Sequence, residues 1–367
     1  MGLFGIFKKK NETPPEQKRS AAAPSLPIAI SVEHSQEEVI PIEKRIKGAN
    51  RSCDGLYPHE ILVLSYASKF CDGQNDSQGF WWYKYGIRDM QSILTSLAKQ
   101  GYIERGSIAD AINMEKVPVI KEELQKRNLK SSGKKADLIA RLIENVAEGE
   151  LSTVFSKRPY ALTEAGMALL KKYEWIPFIH NHEIEDLNIW NLTDLVQTPP
   201  YTNYRDKIWG YLNKRGLEHI KNRNYGLYRN SRFTMSEFVA DEGKFETAFT
   251  LLCEVAAYDL SGLSNGFRME FLDICSKSYF PYEESVVTMA PGITSRIEKY
   301  AEELEWEDAE LHSRMVDEIG KLQLPFHLFS AEECADIVIA EIHKDKTLLD
   351  HIYSVAEVRF KKRYKSK

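Results

Sequence analysis

From Tyr57 onward, the apolar residues of this chain recur mainly at spacings of three and four, and strand-like alternation is scarce. This period matches a helix with one buried face, so the pattern predicts a mostly α-helical fold. Helices are predicted in the first half at three segments: Pro58 to Phe70, Ile87 to Gln100 and Glu164 to Tyr173. Two short strands are predicted beside them, at Tyr102 to Glu104 and Tyr160 to Leu162.

The second half is predicted to be almost wholly helical, from Glu183 to Tyr364. Within it, Met235 to Asp259 has the pattern of a helical hairpin that turns at Asp241-Glu-Gly243, where a glycine interrupts the helical period. No regular repeat accompanies this hairpin, so a repeat architecture is not predicted, because such a fold needs about three units.

Composition changes along the chain and suggests its organisation. Residues 11–49 are rich in Pro, Ser, Ala, Glu and Lys, a composition that buries too little apolar surface to offset the entropy of ordering. The predicted segments are a disordered linker (1–50), a first folded domain in two pieces (51–113 and 148–178), a helix pair inserted into it (114–147) and an all-α C-terminal domain (179–367).

Charge and cysteine content limit the functional classes. The 367 residues carry a formal net charge of −5, so any nucleic-acid binding must depend on a local basic surface. The five cysteines are odd in number and include no C-x-x-C pair, which argues against a disulfide framework and a zinc cluster. No apolar run approaches the ~18–20 residues of a membrane span. We therefore expect a cytoplasmic protein with reduced thiols.

The inserted segment, Val117 to Leu142, has the apolar pattern of two short packed helices. Their predicted buried faces consist of Val119, Ile120 and Leu124 in the first helix and Leu138, Ile139 and Leu142 in the second. Leu129 lies in the connection, where it can fill the space between the helices. Ser132 is the predicted N-cap of the second helix, because its hydroxyl can accept a hydrogen bond from a free backbone amide.

The polar side of this helix pair is basic. Residues 115–144 include eight Lys or Arg residues and five Asp or Glu residues. The free amides at a helix N-terminus attract anions, and a glycine lets the backbone approach them closely, so the turn is a candidate phosphate seat. The candidate DNA-binding residues are Lys126, Arg127, Lys130, Ser132, Gly133, Lys134, Lys135 and Arg141. On charge alone, a solvated helical hairpin would be the simpler interpretation.

The segment closely resembles the SAP motif, in which a short first helix leads through an Arg-Gly-Leu turn into Ser-Gly-Lys-Lys-x-x-Leu-Ile-x-Arg-Leu. The matching positions are Val117, Lys121, Leu124, Arg127, Leu129, Ser132, Gly133, Lys134, Lys135, Leu138, Ile139, Arg141 and Leu142. Asn128 replaces the usual glycine, but asparagine tolerates a left-handed backbone better than most residues. The resemblance implies DNA binding, often with a preference for A·T-rich duplex, although a minority of SAP-like helix pairs bind proteins instead.

The sequence on either side of the SAP segment resembles a winged helix of the MarR or PadR kind, with the SAP segment inserted at the tip of the wing. The resemblance implies that the Ile87 to Gln100 helix is a recognition helix and that Arg88 and Gln91 read base edges. A helix that only packs or mediates dimer contacts remains the alternative. The whole arrangement resembles SAP-domain proteins of Gram-positive bacteria and their phages.

Enzymatic function is not predicted. The chain has neither G-x-x-x-x-G-K-[ST] nor G-x-G-x-x-G, so it lacks the known phosphate cradles of nucleotide hydrolysis. His180-Asn-His182-Glu183 offers metal-binding side chains, but a site needs further ligands, and none is evident. We therefore expect no cofactor and no metal, and the expected partner is double-stranded DNA.

Two alternatives stay open. In the first, the protein is a protein–protein interaction scaffold whose helical C-terminal half binds a partner, and the SAP segment only tethers it to nucleic acid. In the second, the C-terminal half contains a diverged nuclease site. The sequence also leaves a homodimer open.

Overall fold

The computed structural model describes residues 39–73, 77–263 and 271–364, and for residues 273, 275 and 276 it describes the backbone alone. The described part is mostly helical, as the apolar period predicts. The helices of its first half are α1 (Ile42–Arg45), α2 (Pro58–Ser65), α3 (Phe80–Tyr83), α4 (Met90–Lys99), α5 (Ile108–Met114), α6 (Val117–Lys126), α7 (Lys135–Asn145), α8 (Glu148–Val154), α9 (Glu164–Lys172), α10 (Trp175–Asn181) and α11 (Ile189–Val196).

The helices of the second half are α12 (Tyr204–Lys221), α13 (Tyr225–Ala240), α14 (Phe245–Ser261), α15 (Leu272–Cys275), α16 (Pro291–Glu303), α17 (Asp308–Gly320), α18 (Ala331–His343) and α19 (Lys346–Tyr364). Short 3₁₀ turns occur at Ile46–Gly48, Ala67–Lys69, Ser276–Ser278 and Tyr282–Glu284. The two strands are β1 (Ile103–Arg105) and β2 (Tyr160–Leu162). Among the described residues, no helix is long and apolar enough to cross a membrane.

The linker predicted over residues 1–50 ends earlier than expected. Residues 1–38 of that prediction lie outside the described residues. Ile42, however, begins α1, is buried, and donates its backbone amide to the carbonyl of Gly86 over 3.0 Å. The apolar residues Ile40, Ile42 and Ile46 therefore belong to the folded part, although the polar residues around them give a linker-like composition.

Two of the predicted helices differ from the observed ones at their ends. The helix predicted over Pro58 to Phe70 stops at Ser65, and a 3₁₀ turn at Ala67–Lys69 follows. The helix predicted from Ile87 starts at Met90, because the side chain of Asp89 accepts a hydrogen bond from the amide of Ser92 over 3.0 Å and so caps the helix. Arg88 consequently precedes α4 and is not part of it.

Strands β1 and β2 pair in antiparallel register, with Ile103 opposite Leu162 and Arg105 opposite Tyr160. Thr163 accepts a hydrogen bond from the amide of Gly166 and starts α9 at Glu164, as predicted. Helix α2 packs against α4 and α9, and α4 contacts β1. The whole segment of residues 106–159 is therefore inserted between two paired strands.

The inserted segment has a hydrophobic core of its own. Helix α5 packs against α7 and α8, and α6 packs against α7. Nine buried residues form this second core: Ile108, Ala111, Ile112, Ile120, Leu124, Leu138, Leu142, Leu151 and Phe155. Since α5 and α8 contribute to it, the packed unit is larger than the predicted helix pair, and its elements run from Ile108 to Val154.

The main core continues through the C-terminal helices, around α14. This helix packs against α13, α16, α17 and α18, which explains why apolar residues cover most of its circumference. Helices α13 and α14 form the predicted hairpin, with the turn between Ala240 and Phe245. The described residues from Ile40 onward form one compact unit, and the division into separate domains stays a prediction.

Candidate nucleic-acid interface

The turn between α6 and α7 is shaped by the backbone of Asn128. Its φ of 55° lies in the left-handed region, which confirms the prediction that asparagine adopts this backbone in place of the usual glycine. The reversal lets the amide of Leu129 donate to the carbonyl of Leu124 over 2.8 Å. The Leu129 side chain packs on the second core, as predicted, and so anchors the turn.

The prediction that Ser132 caps α7 is wrong. The N-cap is Lys134, whose extended backbone precedes the first helical residue, Lys135. The side chain of Asp137 accepts a hydrogen bond from the Lys134 amide over 3.0 Å, and this back-bond fixes the start of the helix. Gly133 has a φ of 131°, and a Cβ there would lie 3.2 Å from Asp137 Oδ2, so the approach to α7 requires a glycine.

Arg127 is held by carboxylates inside the packed unit. Its guanidinium lies 2.6 Å from Glu123 Oε2 and 2.8 Å from Glu150, and only 18% of its side chain is exposed. Lys126 pairs with Glu122 and Glu123 at 3.0 and 2.7 Å. Hydrogen bonds from Lys126 and Arg127 hold the pKa of Glu123 below its ordinary value. The structure therefore shows both cations paired with acidic residues.

Replacing Glu123 with glutamine should loosen this unit much more than replacing Glu122. Glu123 is 9% exposed, and its loss leaves the nearly buried Arg127 short of one charged partner, at a cost of about 1–3 kcal/mol. Glu122 forms an exposed pair, which is worth about 0–1 kcal/mol. Both variants make the same charge change on neighbouring residues. Native-state hydrogen exchange over residues 117–145 measures the difference, and equal exchange in both variants would contradict this role of Glu123.

Arg141 and Lys135 hold the turn by bonds to backbone carbonyls. Arg141 donates from Nη1 to the carbonyl of Lys130 at 2.5 Å and to that of Ser132 at 3.3 Å. Lys135 donates from Nζ to the carbonyl of Asn113, at the end of α5, over 2.5 Å. These bonds fix the loop that precedes α7 and tie α7 to α5.

Lys130 and Lys134 are the exposed cations of the turn. Within the part of the chain that the structure describes, neither ammonium group has a carboxylate partner. The amides of Lys135 and Ala136 also have no acceptor among the described residues, as is usual in a first helical turn. Together with the exposed Ser132, these groups form a cationic surface of free donors, which we call the α7 turn (residues 130–136).

Arg88 and Gln91 lie outside the inserted segment, at the start of α4, whose apolar residues pack into the main core. The Arg88 guanidinium lies 3.9 Å from the ring centroid of Trp82, and the residue is exposed. Gln91 lies in the first turn of α4, is half-buried, and donates to the carbonyl of Cys71 over 3.5 Å. Eight of the ten predicted site residues thus lie in the inserted segment. Arg88 lies in the loop between α3 and α4, and Gln91 lies in α4.

The carboxylates and carbonyls that order the turn were not predicted from the sequence. Glu123 precedes Arg127 by four residues, the spacing of neighbours on one helix face, so the pairing could have been found. Glu150 and Asn113 are more than twenty residues from their partners, and no local pattern reveals such contacts.

In the histidine segment, His180 contacts an aromatic cluster of the main core. Both ring nitrogens of His180 form hydrogen bonds, Nδ1 with the hydroxyl of Tyr85 at 2.5 Å and Nε2 with the hydroxyl of Tyr66 at 2.9 Å. Burial lowers the pKa of the His180 imidazole to about 4. Among the described residues, no three His, Cys, Asp or Glu side chains come together as a metal site. His180 therefore serves the packing of an aromatic cluster.

Comparison with known proteins adds one finding. Residues 116–147 match the sequence model of the SAP domain, and this range covers α6, the α7 turn and α7. A search of curated proteins and a search of solved structures returned no match to this chain. The protein thus contains a SAP domain at residues 116–147, and this domain supports its assignment as a nucleic-acid-binding protein.

Proposed function

We propose that the protein binds double-stranded DNA through the phosphates, with the α7 turn of its SAP domain as the contact surface. The observation that carries the proposal is the exposure of Lys130 and Lys134 beside free amides at the start of α7. Phosphate oxygens accept from such groups, and the helix dipole adds a favourable field. Ser132 and Gly133 complete this surface. Lys126 flanks it at the end of α6 with 57% of its side chain exposed, and Arg127, Lys135 and Arg141 hold its shape.

A binding titration at several salt concentrations tests the proposal. Each phosphate contact releases counterions from DNA, so the logarithm of the affinity should fall linearly with the logarithm of salt, by about 0.9 per contact. The two exposed cations of the α7 turn would contribute about −1.8 to this slope. An affinity that does not change with salt would rule out phosphate contacts. A preference for A·T-rich duplex, which the SAP family suggests, would appear as tighter binding to such DNA in the same titration.

The residues that flank the SAP domain support a winged-helix-like host. Helices α2 and α4 precede the strand pair β1–β2, and α9 follows it, which is the order of helices and wing in that fold. In this proposal α4 is the recognition helix, Gln91 lies in its first turn, and Arg88 extends from the loop before it. The insertion of the SAP domain between β1 and β2 then joins two DNA-binding elements through one wing.

The double variant Arg88→Ala, Gln91→Ala tests the host. If α4 enters a groove, the variant should bind duplex DNA about tenfold more weakly, since two linked modules gain from binding together. The matched control is Arg223→Ala, Gln323→Ala, which removes the same side chains from exposed positions in the C-terminal half. Equal affinities of the two double variants would mean that the host does not touch DNA.

A second candidate function is a scaffold for a protein partner. Helix α19 carries three exposed apolar side chains on one face, Leu348, Val355 and Val358, and Val358 is 69% exposed. Apolar side chains at helical spacing on an exposed face favour contact with another protein or a second copy of the chain. In either case we propose a cytoplasmic protein that acts by binding and not by catalysis.

A further inference from the structure

A cavity of about 420 Å³ lies where the inserted segment meets the paired strands. Its lining residues are Ser68, Lys69, Asp110, Asn113, Met114, Pro159, Tyr160 and Ala161. The volume falls in the range of roughly 300–1,000 Å³ that is typical of small-molecule sites. Two separately packed parts of the protein therefore line an open cavity that is large enough for one nucleoside.

One hydrogen bond links the wall of the cavity to the α7 turn. Asn113 lines it, and the carbonyl of the same residue accepts the hydrogen bond from Lys135 Nζ at 2.5 Å. The wall formed by Pro159 is also connected to the inserted segment. Cys71 pairs with Pro159 in an isolated antiparallel β-bridge, and its Sγ lies 3.5 Å from Met114 Sδ. A DNA strand whose phosphates lie on the α7 turn would pass close to this cavity.

The lining favours a heterocycle over a bare phosphate. Met114, Pro159, Tyr160 and Ala161 supply apolar walls, and Met114 is 46% exposed. Asn113 and Ser68 supply donors and acceptors that can pair with the edge of a base.

The charges of the lining residues also give no net attraction for a bare anion. Lys69 is the cationic lining residue, and Asp110 carries a carboxylate that already accepts from the amide and hydroxyl of Ser107 at 2.7 and 2.6 Å. A second carboxylate, that of Asp72, is hydrogen-bonded to Tyr160. Among the lining residues a phosphate would therefore meet one cation and one carboxylate, and a neutral base needs no excess of cations.

We propose that this cavity receives one unpaired nucleotide of the DNA that the α7 turn holds. The inference rests on the proposed function and gives it a substrate class: duplex DNA with an extrahelical or unpaired base. Extruding a base costs least when it has no partner, so an unpaired nucleotide should enter more readily than a paired one.

The test compares two short duplexes, one blunt and fully paired and one identical except for a single unpaired adenine in the middle. Fluorescence anisotropy with the full chain should show tighter binding to the second duplex by about 5- to 100-fold, the gain of burying one stacked base. With 2-aminopurine in place of the unpaired adenine, binding should also change the fluorescence of that base.

Variants of the cavity wall locate the effect. Met114→Ala should remove most of the gain for the unpaired base and leave the affinity for the blunt duplex unchanged, and Met114→Leu should restore the gain. Met167→Ala is the matched control, because Met167 is an exposed methionine of α9 outside the cavity. A gain that survives in Met114→Ala, or equal affinities of the wild type for both duplexes, would overturn the inference. No binding to either duplex would contradict the proposed DNA-binding function itself.

Discussion

Replacing Lys130 and Lys134 together with glutamate is expected to lower the affinity of the full chain for duplex DNA by roughly 10- to 100-fold at about 0.1 M salt. Both ammonium groups are exposed and have no carboxylate partner among the described residues, so the variant removes two phosphate contacts without breaking an internal ion pair. The loss should be similar for every DNA sequence, because phosphates carry no sequence information. The slope of the logarithm of the affinity against the logarithm of the salt concentration should become shallower by about 1.8, or 0.9 for each contact.

The control for this variant is Lys214→Glu, Lys299→Glu, which makes the same charge change at two exposed positions of α12 and α16. Nonspecific repulsion of DNA would lower the affinity of both double variants for duplex DNA equally. A loss confined to Lys130 and Lys134 would support the α7 turn as the contact surface, and an unchanged affinity and slope would exclude it.

Replacing Leu138 with alanine is expected to unfold the inserted segment while the main core stays folded. Leu138 is fully buried in α7, and truncation of such a leucine costs about 2–5 kcal/mol. The second core has only nine buried residues, so this loss is large relative to the free energy of unfolding of the inserted segment. Limited proteolysis should cut the variant between residues 107 and 155 and spare the C-terminal helices, and DNA binding should be lost.

Ile143→Ala is the matched change on the same helix, at a residue that is 39% exposed, and should cost less than about 0.5–1 kcal/mol. If Leu138→Ala instead unfolds the whole chain in one transition, the inserted segment is an integral part of the main core.

Local signals in the sequence predicted much of the fold. Thr163 starts α9 because its hydroxyl can accept from the amide three residues on, and Gly243 marks the turn of the α13–α14 hairpin. The two short strands were predicted within one residue, since each follows or precedes a clear helix signal. Leu129 and Asn128 also take the roles that their places in the SAP pattern indicate.

Contacts between distant residues and competing caps could not be predicted in this way. Ser132 is a good capping residue by type. The helix nevertheless begins after Lys134, because Asp137, three residues after Lys134, accepts a hydrogen bond from the Lys134 amide. Arg127 fits a phosphate contact by charge, yet Glu150 becomes its partner only through the packing of α8. The cavity at Asn113 and Tyr160 likewise depends on how the inserted segment rests on the strands.

Hydrogen–deuterium exchange of the full chain with and without duplex DNA tests the central claim most directly. DNA that lies on the α7 turn should slow the exchange of amides in residues 130–136, where Lys135 and Ala136 have no acceptor among the described residues. The C-terminal helices α12 to α14 should exchange at the same rate in both states. Slower exchange confined to the C-terminal half, or no change in residues 130–136, would contradict the proposal that the SAP domain binds DNA through this turn.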